Sequence, residues 1–366
     1  MIATMGKLTQ IKQLLLDDYQ LLPARLCLRL QDYRLVVRSN SAPLIERLQA
    51  YFAHVVEQSC DDVQAEVMVL ERDIVNTGLE FIDWKREPGK TGRKDAIHDF
   101  AGGRLVQKVR TGMLFLQSAQ TLIAAGPSLE YDNQVINFIN SQFLNSLQND
   151  GYRLCHAAAL SHHGDGLAIA GLSGGGKSTL MLNLLEDGAT QYVTNDRLLL
   201  RKQQGTTQAV GIPKLPRINP GTIVNNPRLF PLIDAQSRQR LLEMDKAALW
   251  RLEQKYDVDI TGLYGNGRIR HETALRRFLV LNWQHDCPEP LQLKRVDIAQ
   301  RQDLLAAIMK PSGPFYVDAS GLFNADDAMP QATAYLDALE HVAIYEATGR
   351  VDFPRLTELC LDELMV

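Results

Sequence analysis

The amino-acid sequence predicts an α/β fold, and three consecutive features near its middle indicate it most directly. Residues 166–170 form an apolar run of strand length. A glycine-rich segment follows at 171–176. From Lys177 onward leucines recur on helical faces, and Gly188 is a typical helix stop. A strand, a glycine-rich turn and a helix are therefore predicted in direct succession.

The glycine-rich segment has the spacing of a phosphate-binding loop, because Gly171 is followed after four residues by Gly-Lys-Ser at 176–178. Backbone N–H groups can wrap closely around a polyphosphate only where no side chain blocks them. The first turn of the following helix adds unpaired N–H groups and the positive end of the helix dipole. Lys177 would reach the β- and γ-phosphates, and the Ser178 hydroxyl would bind Mg²⁺.

This context favours nucleotide binding over the alternative, a glycine-rich turn that merely joins a strand to a helix. The predicted nucleotide contacts are Gly171, Ser173, Gly174, Gly175, Gly176, Lys177, Ser178 and Thr179.

Length and composition limit the classes of function. The 366 residues leave room for two domains, and 45% apolar residues can fill substantial cores. A net charge of −4 gives no general attraction to nucleic acid or anionic lipid. The sequence lacks an apolar stretch of membrane-spanning length and has no signal-peptide pattern at its start. We therefore expect a cytoplasmic protein with no nucleic-acid or membrane partner.

The cysteines support the same expectation. All five are scattered singly along the chain, without the close pairs of a zinc site. Cys27 lies between two leucines, an apolar setting typical of a reduced core cysteine. We therefore predict that the cysteines are reduced.

The first 125 residues are predicted to form a mixed α/β domain of unknown role. Alternating or apolar runs indicate strands at 26–30, 33–38 and 66–70, and a meander at 104–125. Ser41 is a predicted helix cap before an apolar face at helical spacing. Gly126-Pro127 is a natural break, so we place the two domains at 1–125 and 126–366.

The second predicted domain alternates strands and helices around the glycine-rich loop. Residues 211–222 contain three prolines and two glycines, which predict an ordered connection without helix. Predicted strands are 154–160, 166–170, 191–194, 278–282, 291–296 and 342–345, and predicted helices are 135–147, 177–187, 235–255, 298–309 and one from Pro354.

Asp196 is the strongest candidate for chemistry outside the loop. It follows a predicted strand, and ligands in α/β sheets gather beyond the carboxyl ends of strands. A carboxylate there can hold Mg²⁺ or accept a proton from an attacking hydroxyl. The alternative is a turn aspartate that caps the next segment. If the strand continues through Asn195 and Asp196, their side chains point to opposite faces of the sheet. This does not apply if the strand has already ended.

Other candidates have two interpretations each. His156 could orient a phosphate or a hydroxyl nucleophile, or could be a core histidine. Lys214 and Arg217 could add positive charge at the phosphates, or could be solvated. His162-His163 is more typical of an exposed turn than of a metal site. A basic cluster is interpreted as a solvated face or an acidic-substrate contact: Arg268, Arg270, His271, Arg276 and Arg277.

The order of these motifs resembles the HPr kinase/phosphorylase family. The resemblance rests on His156, the loop at 171–179, and the strand that ends in Asn195-Asp196. His-Ala-Ala-Ala at 156–159 and Pro-Lys-Leu-Pro-Arg-Ile-Asn-Pro-Gly-Thr at 213–222 look closest to the branch of HprK-related kinases, B type. The similarity is convincing from about 152 to 222.

The resemblance implies an ATP-dependent kinase that uses Mg²⁺ to phosphorylate a serine hydroxyl. It implies a P-loop kinase domain with a mixed, PEP-carboxykinase-like sheet, preceded here by the smaller N-terminal domain. Lys177, Asp196 and His156 match the family's catalytic positions, and Ser178 and Asp196 would hold the metal. Because members of the family assemble, a homo-oligomer is among the expectations.

The chain departs from the family at two places. Asn195 stands where the family has the first of two aspartates, its proton acceptor, and an amide cannot take that proton. Residues 211–222 stand in place of the family's Arg-Gly-Leu-Gly-Ile segment. HPr is therefore not the expected acceptor.

Three functions remain open at this point. The first is a kinase with an unidentified hydroxyl-bearing acceptor, which could be a protein, a peptide or a metabolite. The second is an NTP-hydrolysing regulatory switch, and the third is a nucleotide-binding scaffold that has lost catalysis.

Overall fold

The computed structural model describes residues 2–17, 19–86, 91–171, 175–284 and 286–365. The chain divides into two compact units. The first comprises Met1–Asp150 and Pro311–Met329, and the second comprises Gly151–Lys310 and Pro330–Val366.

The helices of the first unit are α1 Ile2–Leu16, α2 Ala42–Tyr51 and α3 Asp132–Asn149. Those of the second are α4 Lys177–Leu184, α5 Pro220–Ile223, α6 Ala235–Leu242, α7 Lys246–Arg251, α8 Ile260–Tyr264, α9 Gln302–Ile308, α10 Ala332–Ala338 and α11 Phe353–Leu359. Short 3₁₀ turns are Ala53–Val55, Pro227–Leu232 and Ile298–Gln300, and a π-helical turn is Cys360–Leu364.

The strands of the first unit are β1 Leu26–Leu30, β2 Tyr33–Ser39, β3 Val56–Glu57, β4 Ala65–Glu71, β5 Ile82–Asp83, β6 Asp95–Phe100, β7 Gly103–Lys108, β8 Leu114–Gln117 and β9 Leu122–Gly126. Those of the second are β10 Arg153–Cys155, β11 Ala158–His162, β12 Asp165–Gly171, β13 Thr190–Thr194, β14 Leu198–Gln203, β15 Thr206–Gly211, β16 Arg217–Ile218, β17 Tyr256–Asp257, β18 Glu272–Leu281, β19 Gln292–Val296 and β20 Ala343–Thr348.

The first unit is built on a mixed sheet with the order β3-β1-β2-β4-β9-β8-β7-β6-β5. Its three central strands β2, β4 and β9 are parallel, and the predicted meander forms the antiparallel part. Ser41 caps α2 by accepting a hydrogen bond from the Leu44 N–H, as predicted. Helix α1, which the sequence analysis did not identify, places Ile11 and Leu15 in the core.

The unit boundary falls after Asp150 rather than after residue 125. Helix α3 belongs to the first unit because its apolar face covers that unit's sheet. The ring centroid of Phe138 in α3 lies 5.0 Å from that of Phe115 in β8. Phe315, from the segment that returns to this unit, packs against both rings. The predicted boundary at Gly126-Pro127 therefore lies inside the first compact unit.

The prediction that the cysteines are all reduced is wrong for two of them. A disulfide joins Cys27 and Cys60, whose Cα atoms lie 5.4 Å apart. The cause is tertiary, because β3 pairs with β1 opposite Cys27 and brings the residues that follow β3 back beside it. Cys155 and Cys360 are free and buried, as predicted.

The second unit is also built on a mixed sheet, as predicted. Its order is β10-β14-β15-β18-β12-β11-β13, and β20 pairs with the carboxyl-terminal half of β18. Strand β12 is parallel to β18 and antiparallel to β11. Leu167 and Ile169 of β12 face one apolar cluster together with α4, whereas Ala168 and Ala170 face another with α9. Both faces of β12 are therefore buried, which explains its continuous apolar run.

Several predicted elements of the second unit are divided in the structure. The predicted strand 154–160 is β10 and β11, because β10 pairs with β14 whereas β11 pairs with β12 and β13. The predicted helix 235–255 is α6 and α7, and Asp245 caps the second. The predicted helix 298–309 is a 3₁₀ turn followed by α9. The connection 211–222 contains β16 and, contrary to prediction, the short helix α5, which Pro220 begins.

Within the described residues, no helix has the length and apolar character needed to cross a bilayer. The cytoplasmic location and the homo-oligomer stay predictions.

Candidate functional site

Four strands of the second unit end at one edge of its sheet. Strand β11 is antiparallel to both β12 and β13, so β12 and β13 run in the same direction. Strands β18 and β20 are parallel to β12 as well. At this edge the order is β20-β18-β12-β11-β13. Ligands of α/β sheets bind beyond such carboxyl ends.

Two glycines of the predicted loop have conformations or neighbours that exclude a side chain. Gly171 ends β12 with φ +156°, and a Cβ there would lie 3.0 Å from the Leu281 carbonyl oxygen. Gly176 has φ +88° and immediately precedes α4, and a Cβ there would overlap the ring of Phe353. Both positions therefore require glycine. The predicted contacts Ser173 and Gly174 lie outside the described residues.

The first turn of α4 holds the polar residues that follow the loop. Lys177 is the first helical residue, and its Nζ donates to the Gly171 carbonyl oxygen at 3.0 Å, so the ammonium group lies across the base of the loop. Ser178 is half-buried in the same turn. The Thr179 hydroxyl lies 2.8 Å from the Thr222 hydroxyl and is hydrogen-bonded to it.

The structure brings His156 and Asp196 together. His156 lies between β10 and β11, where its backbone N–H donates to the Ile308 carbonyl at 2.8 Å. Its Nε2 lies 3.0 Å from Asp196 Oδ1. Strand β13 ends at Thr194, whose hydroxyl donates to the Arg197 carbonyl at 3.1 Å. Because the strand has ended, strand alternation no longer governs Asn195 and Asp196.

Asp196 is held in its ionised form. Burial raises the pKa of this carboxyl, but the hydrogen bond with His156 and the charges of Lys310 and Arg197 outweigh burial. The net result is a pKa well below the ordinary range of aspartate. Such a carboxylate accepts hydrogen bonds or binds a cation well, but has little affinity for a proton.

Asn195 presents a buried acceptor. Its Oδ1 is inaccessible to solvent and has no hydrogen-bond partner within the described residues. A buried carbonyl oxygen without a donor is costly and calls for an explanation. Asn195 Oδ1 is therefore an acceptor available to a donor from outside the described residues.

Lys214 interacts electrostatically with Asp196 and with Arg197 beside it. Burial and the charges of Arg197 and Arg217 lower the pKa of its ammonium to about 7, and Asp196 opposes this shift. Lys214 is half-buried, so it is not a fully solvated loop residue. Arg217 Nε lies 3.0 Å from Asp257 Oδ1 on the neighbouring strand β17.

The basic cluster between 268 and 277 has structural contacts. The Arg268 guanidinium donates to the backbone carbonyls of Leu185, Asp187 and Thr190, so it fixes the turn between α4 and β13. Arg276 pairs with Asp165 at 3.1 Å. The contacts of these two residues favour a structural interpretation over an acidic-substrate contact.

A resident metal centre is not supported, but a nucleotide-borne Mg²⁺ fits. Among the described residues, no group of three or more His, Cys, Asp or Glu side chains could hold a metal ion. Magnesium that accompanies a nucleotide needs only one or two protein oxygens, because phosphates and water supply the rest. The Ser178 hydroxyl and the ionised Asp196 carboxylate, both at this edge of the sheet, are oxygens of the kind that would bind such an ion.

Aromatic residues at this edge were missed by the sequence analysis. Trp283 follows β18, and its Nε1 donates to the Gly175 carbonyl at 2.9 Å. Phe353 begins α11 and lies against Gly176. Trp283 could have been identified from its position directly after the predicted strand 278–282, whereas Phe353 has no comparable signal.

The comparisons with known proteins add little. No family model matches the sequence, and no curated protein matches it. A solved structure to which the chain is similar is that of the Hpr(Ser) kinase/phosphatase from Coxiella burnetii. The match has 12% identity and a TM-score of 0.29, and covers 58% of this chain and 91% of that chain. This similarity is too low to place the chain in that protein's family.

Proposed function

We propose that the second unit binds ATP with Mg²⁺ at residues 171–179 and transfers the γ-phosphoryl group to a hydroxyl, such as that of a serine. The observation that carries this proposal is the shared edge: the glycine loop after β12 and the His156–Asp196 pair beside β13 lie only one strand apart. Because β11 lies between β12 and β13, these two strands are roughly 10 Å apart, a distance that a triphosphate can span.

The binding part of the proposal rests on the loop. Glycines at 171 and 176 leave room for the backbone to approach phosphates, and the first N–H groups of α4 have no intrahelical partner. Lys177 would exchange its bond to the Gly171 carbonyl for a phosphate oxygen. Ser178 and Asp196 would hold Mg²⁺, which would neutralise charge on the β- and γ-phosphate oxygens.

The chemical step forms one bond and breaks one. The acceptor oxygen attacks the γ-phosphorus, the bond from that phosphorus to the β–γ bridging oxygen breaks, and ADP leaves. Asp196 orients the acceptor hydroxyl by accepting its hydrogen bond, and His156 fixes the carboxylate. Because the transition state is loose, the hydroxyl proton leaves late, to Asp196, and passes from there to water. A carboxylate of low pKa suits this positioning role.

Asn195 favours a second candidate function. The amide occupies the position where a stronger base would serve a kinase, so water could be the only acceptor, or catalysis could be lost. The alternatives are therefore an NTP-hydrolysing switch and a nucleotide-binding scaffold.

The test is incubation of the protein with γ-labelled ATP, Mg²⁺ and a cell lysate, with Lys177→Ala as the background. We expect label on a macromolecule or metabolite above that background. Free phosphate alone would support the switch, and nucleotide binding without turnover would support the scaffold. Absence of any nucleotide binding would contradict the whole proposal.

A further inference from the structure

Three aromatic residues of the second unit form a cluster, here called the aromatic platform. Trp283 follows β18, Phe353 begins α11 after β20, and Trp250 lies in α7. The rings of Trp283 and Phe353 meet edge to face, with centroids 5.0 Å apart. The ring of Trp250 lies 6.4 Å from that of Phe353, and the two planes are inclined by only 33°.

The aromatic platform is anchored to the glycine loop. The Trp283 indole N–H donates to the Gly175 carbonyl at 2.9 Å, and the Phe353 ring fills the space where a Cβ of residue 176 would lie. Two consecutive loop residues therefore each contact an aromatic ring. An apolar surface continues directly from the segment that is proposed to hold phosphates.

The sheet order shows which part of a nucleotide this surface would meet. Asp196 and His156 lie on the β11 and β13 side of β12, whereas Trp283 and Phe353 follow β18 and β20 on the other side. In a nucleoside triphosphate, the γ-phosphate and the base lie at opposite ends of the polyphosphate. If the γ-phosphate points toward Asp196, the base points toward the aromatic platform.

Trp250 is poorly explained as a core residue. Its side chain is 36% exposed, and none of the residues of α7 is buried. A large aromatic ring kept at the surface beside a phosphate loop is typical of a residue that stacks on a planar ligand. Trp283 is only 9% exposed, and its N–H is bound to the loop, so it positions Phe353 and the loop.

We propose that Trp250 and Phe353 bind the nucleobase of the triphosphate by stacking. This inference rests on the proposed function, because it places the base relative to the phosphate loop. Every base has a π-face, so stacking tolerates different bases. The site should therefore distinguish a nucleotide from an inorganic polyphosphate more strongly than it distinguishes ATP from GTP.

The experiment is a calorimetric titration of the full chain with Mg²⁺-ATP and, separately, with Mg²⁺-tripolyphosphate. The variants are Trp250→Leu and Phe353→Leu, and the matched control is Leu242→Ala, which removes a 54% exposed apolar side chain from α6. We expect each aromatic variant to weaken ATP binding by roughly tenfold or more. Tripolyphosphate affinity should stay within about twofold of the wild type, and the control should leave both affinities unchanged.

Each other outcome has a distinct meaning. Equal weakening of both probes would show that the aromatic platform only shapes the loop, and unchanged ATP affinity would place the base elsewhere. Either result overturns this inference and leaves the phosphate loop intact. If the wild type binds neither probe, the proposed function fails as well.

A fluorescence measurement covers the case in which Phe353→Leu does not fold. Saturating ATP should change the tryptophan emission of the wild type, whereas tripolyphosphate should change it less. The ATP effect should diminish in Trp250→Leu. An ATP response that is identical in Trp250→Leu would overturn the inference.

Discussion

The two units present similar sheet edges that differ in how their polar groups are satisfied. In the first unit, Asn40 follows β2 and forms two hydrogen bonds with the backbone of Glu71, the last residue of β4. Its side-chain N–H donates to the Glu71 carbonyl at 2.9 Å, and its side-chain oxygen accepts from the Glu71 N–H at 2.8 Å. The Glu71 carboxylate accepts from the Leu129 N–H at 2.6 Å, and the Ser128 hydroxyl donates to the Leu70 carbonyl. Apart from the buried Arg72 Nε, which has no partner among the described residues, the polar groups named here are satisfied within the chain, and we call this edge closed.

The corresponding edge of the second unit is open. Strand β12 ends in a glycine with positive φ, and beside β13 the buried Asn195 oxygen has no partner among the described residues. Asp196 lies there as a carboxylate held ionised by neighbouring cations. The partnerless Asn195 oxygen and the ionised Asp196 carboxylate are the groups that a ligand would meet under the proposed function.

The largest expected effect comes from Lys177→Ala. The variant removes the charge that would face the transferring phosphoryl group, so transfer should fall roughly a hundredfold to a thousandfold. ATP affinity should also fall, by roughly tenfold, because phosphate binding is partly electrostatic. The measurement is labelled-phosphate transfer with a calorimetric titration. Lys202→Ala, at an exposed ion pair with Asp337 and Glu340, is the matched control and should change neither. Transfer at the wild-type rate would exclude the loop as the active site.

Asp196→Asn tests the open edge next. The change preserves shape but removes the charge that would orient the acceptor and hold Mg²⁺ in the proposed function, so turnover should fall by roughly a hundredfold. ATP affinity should remain within a few fold, since the loop contacts are intact. The converse variant, Asn195→Asp, should raise turnover if the native site lacks a base. Unchanged turnover in Asp196→Asn would remove this residue from the mechanism.

Gly176→Ala should destabilise the second unit and weaken nucleotide binding. A side chain in the left-handed conformation costs about 1–2 kcal/mol, and here it also displaces the Phe353 ring. We expect the free energy of unfolding to fall by about 2 kcal/mol or more in urea denaturation. Gly188→Ala is the control, because its Cβ would meet nothing within 4 Å. Equal stability of the two variants would contradict the geometry of the loop.

Asn40→Ala should affect stability alone. It leaves the Glu71 N–H and carbonyl of the closed edge without partners, so the free energy of unfolding should fall by about 1–3 kcal/mol. ATP affinity and turnover should equal those of the wild type. A loss of nucleotide binding without a loss of stability would show that the first edge is also a functional site.

The last prediction concerns Lys214→Met, whose effect on stability should depend on pH. The pKa of Lys214 is about 7 in the fold against 10.5 for an unperturbed lysine, so between these values the unfolded chain binds more protons. Stability therefore rises with pH in that window, and below about pH 7 the charged ammonium destabilises the fold. The variant should be more stable than the wild type below about pH 7, and the difference should shrink toward pH 10.5. Denaturation curves at several pH values test this, and a pH-independent difference would contradict it.

The sequence by itself determined the local elements whose causes are local. The apolar run before Gly171, the helix after Gly176 and the Ser41 cap all follow from neighbours along the chain, and the structure has them. The mixed α/β character was predicted as well. The residues of the glycine-rich loop were identifiable because the spacing of glycines, lysine and serine expresses a local geometric requirement, and their binding of phosphate stays a prediction.

Only the tertiary structure decided which distant residues meet. The pairing of His156 with Asp196, the contacts of Trp283 and Phe353 with the loop, and the Cys27–Cys60 disulfide all join segments whose proximity depends on strand order. The assignment of α3 to the first unit has the same origin, because an amphipathic helix does not encode which sheet it covers. The periodicity of apolar residues depends on positions a few residues apart in the chain. A site, in contrast, is formed by the order and register of strands that are far apart in the chain.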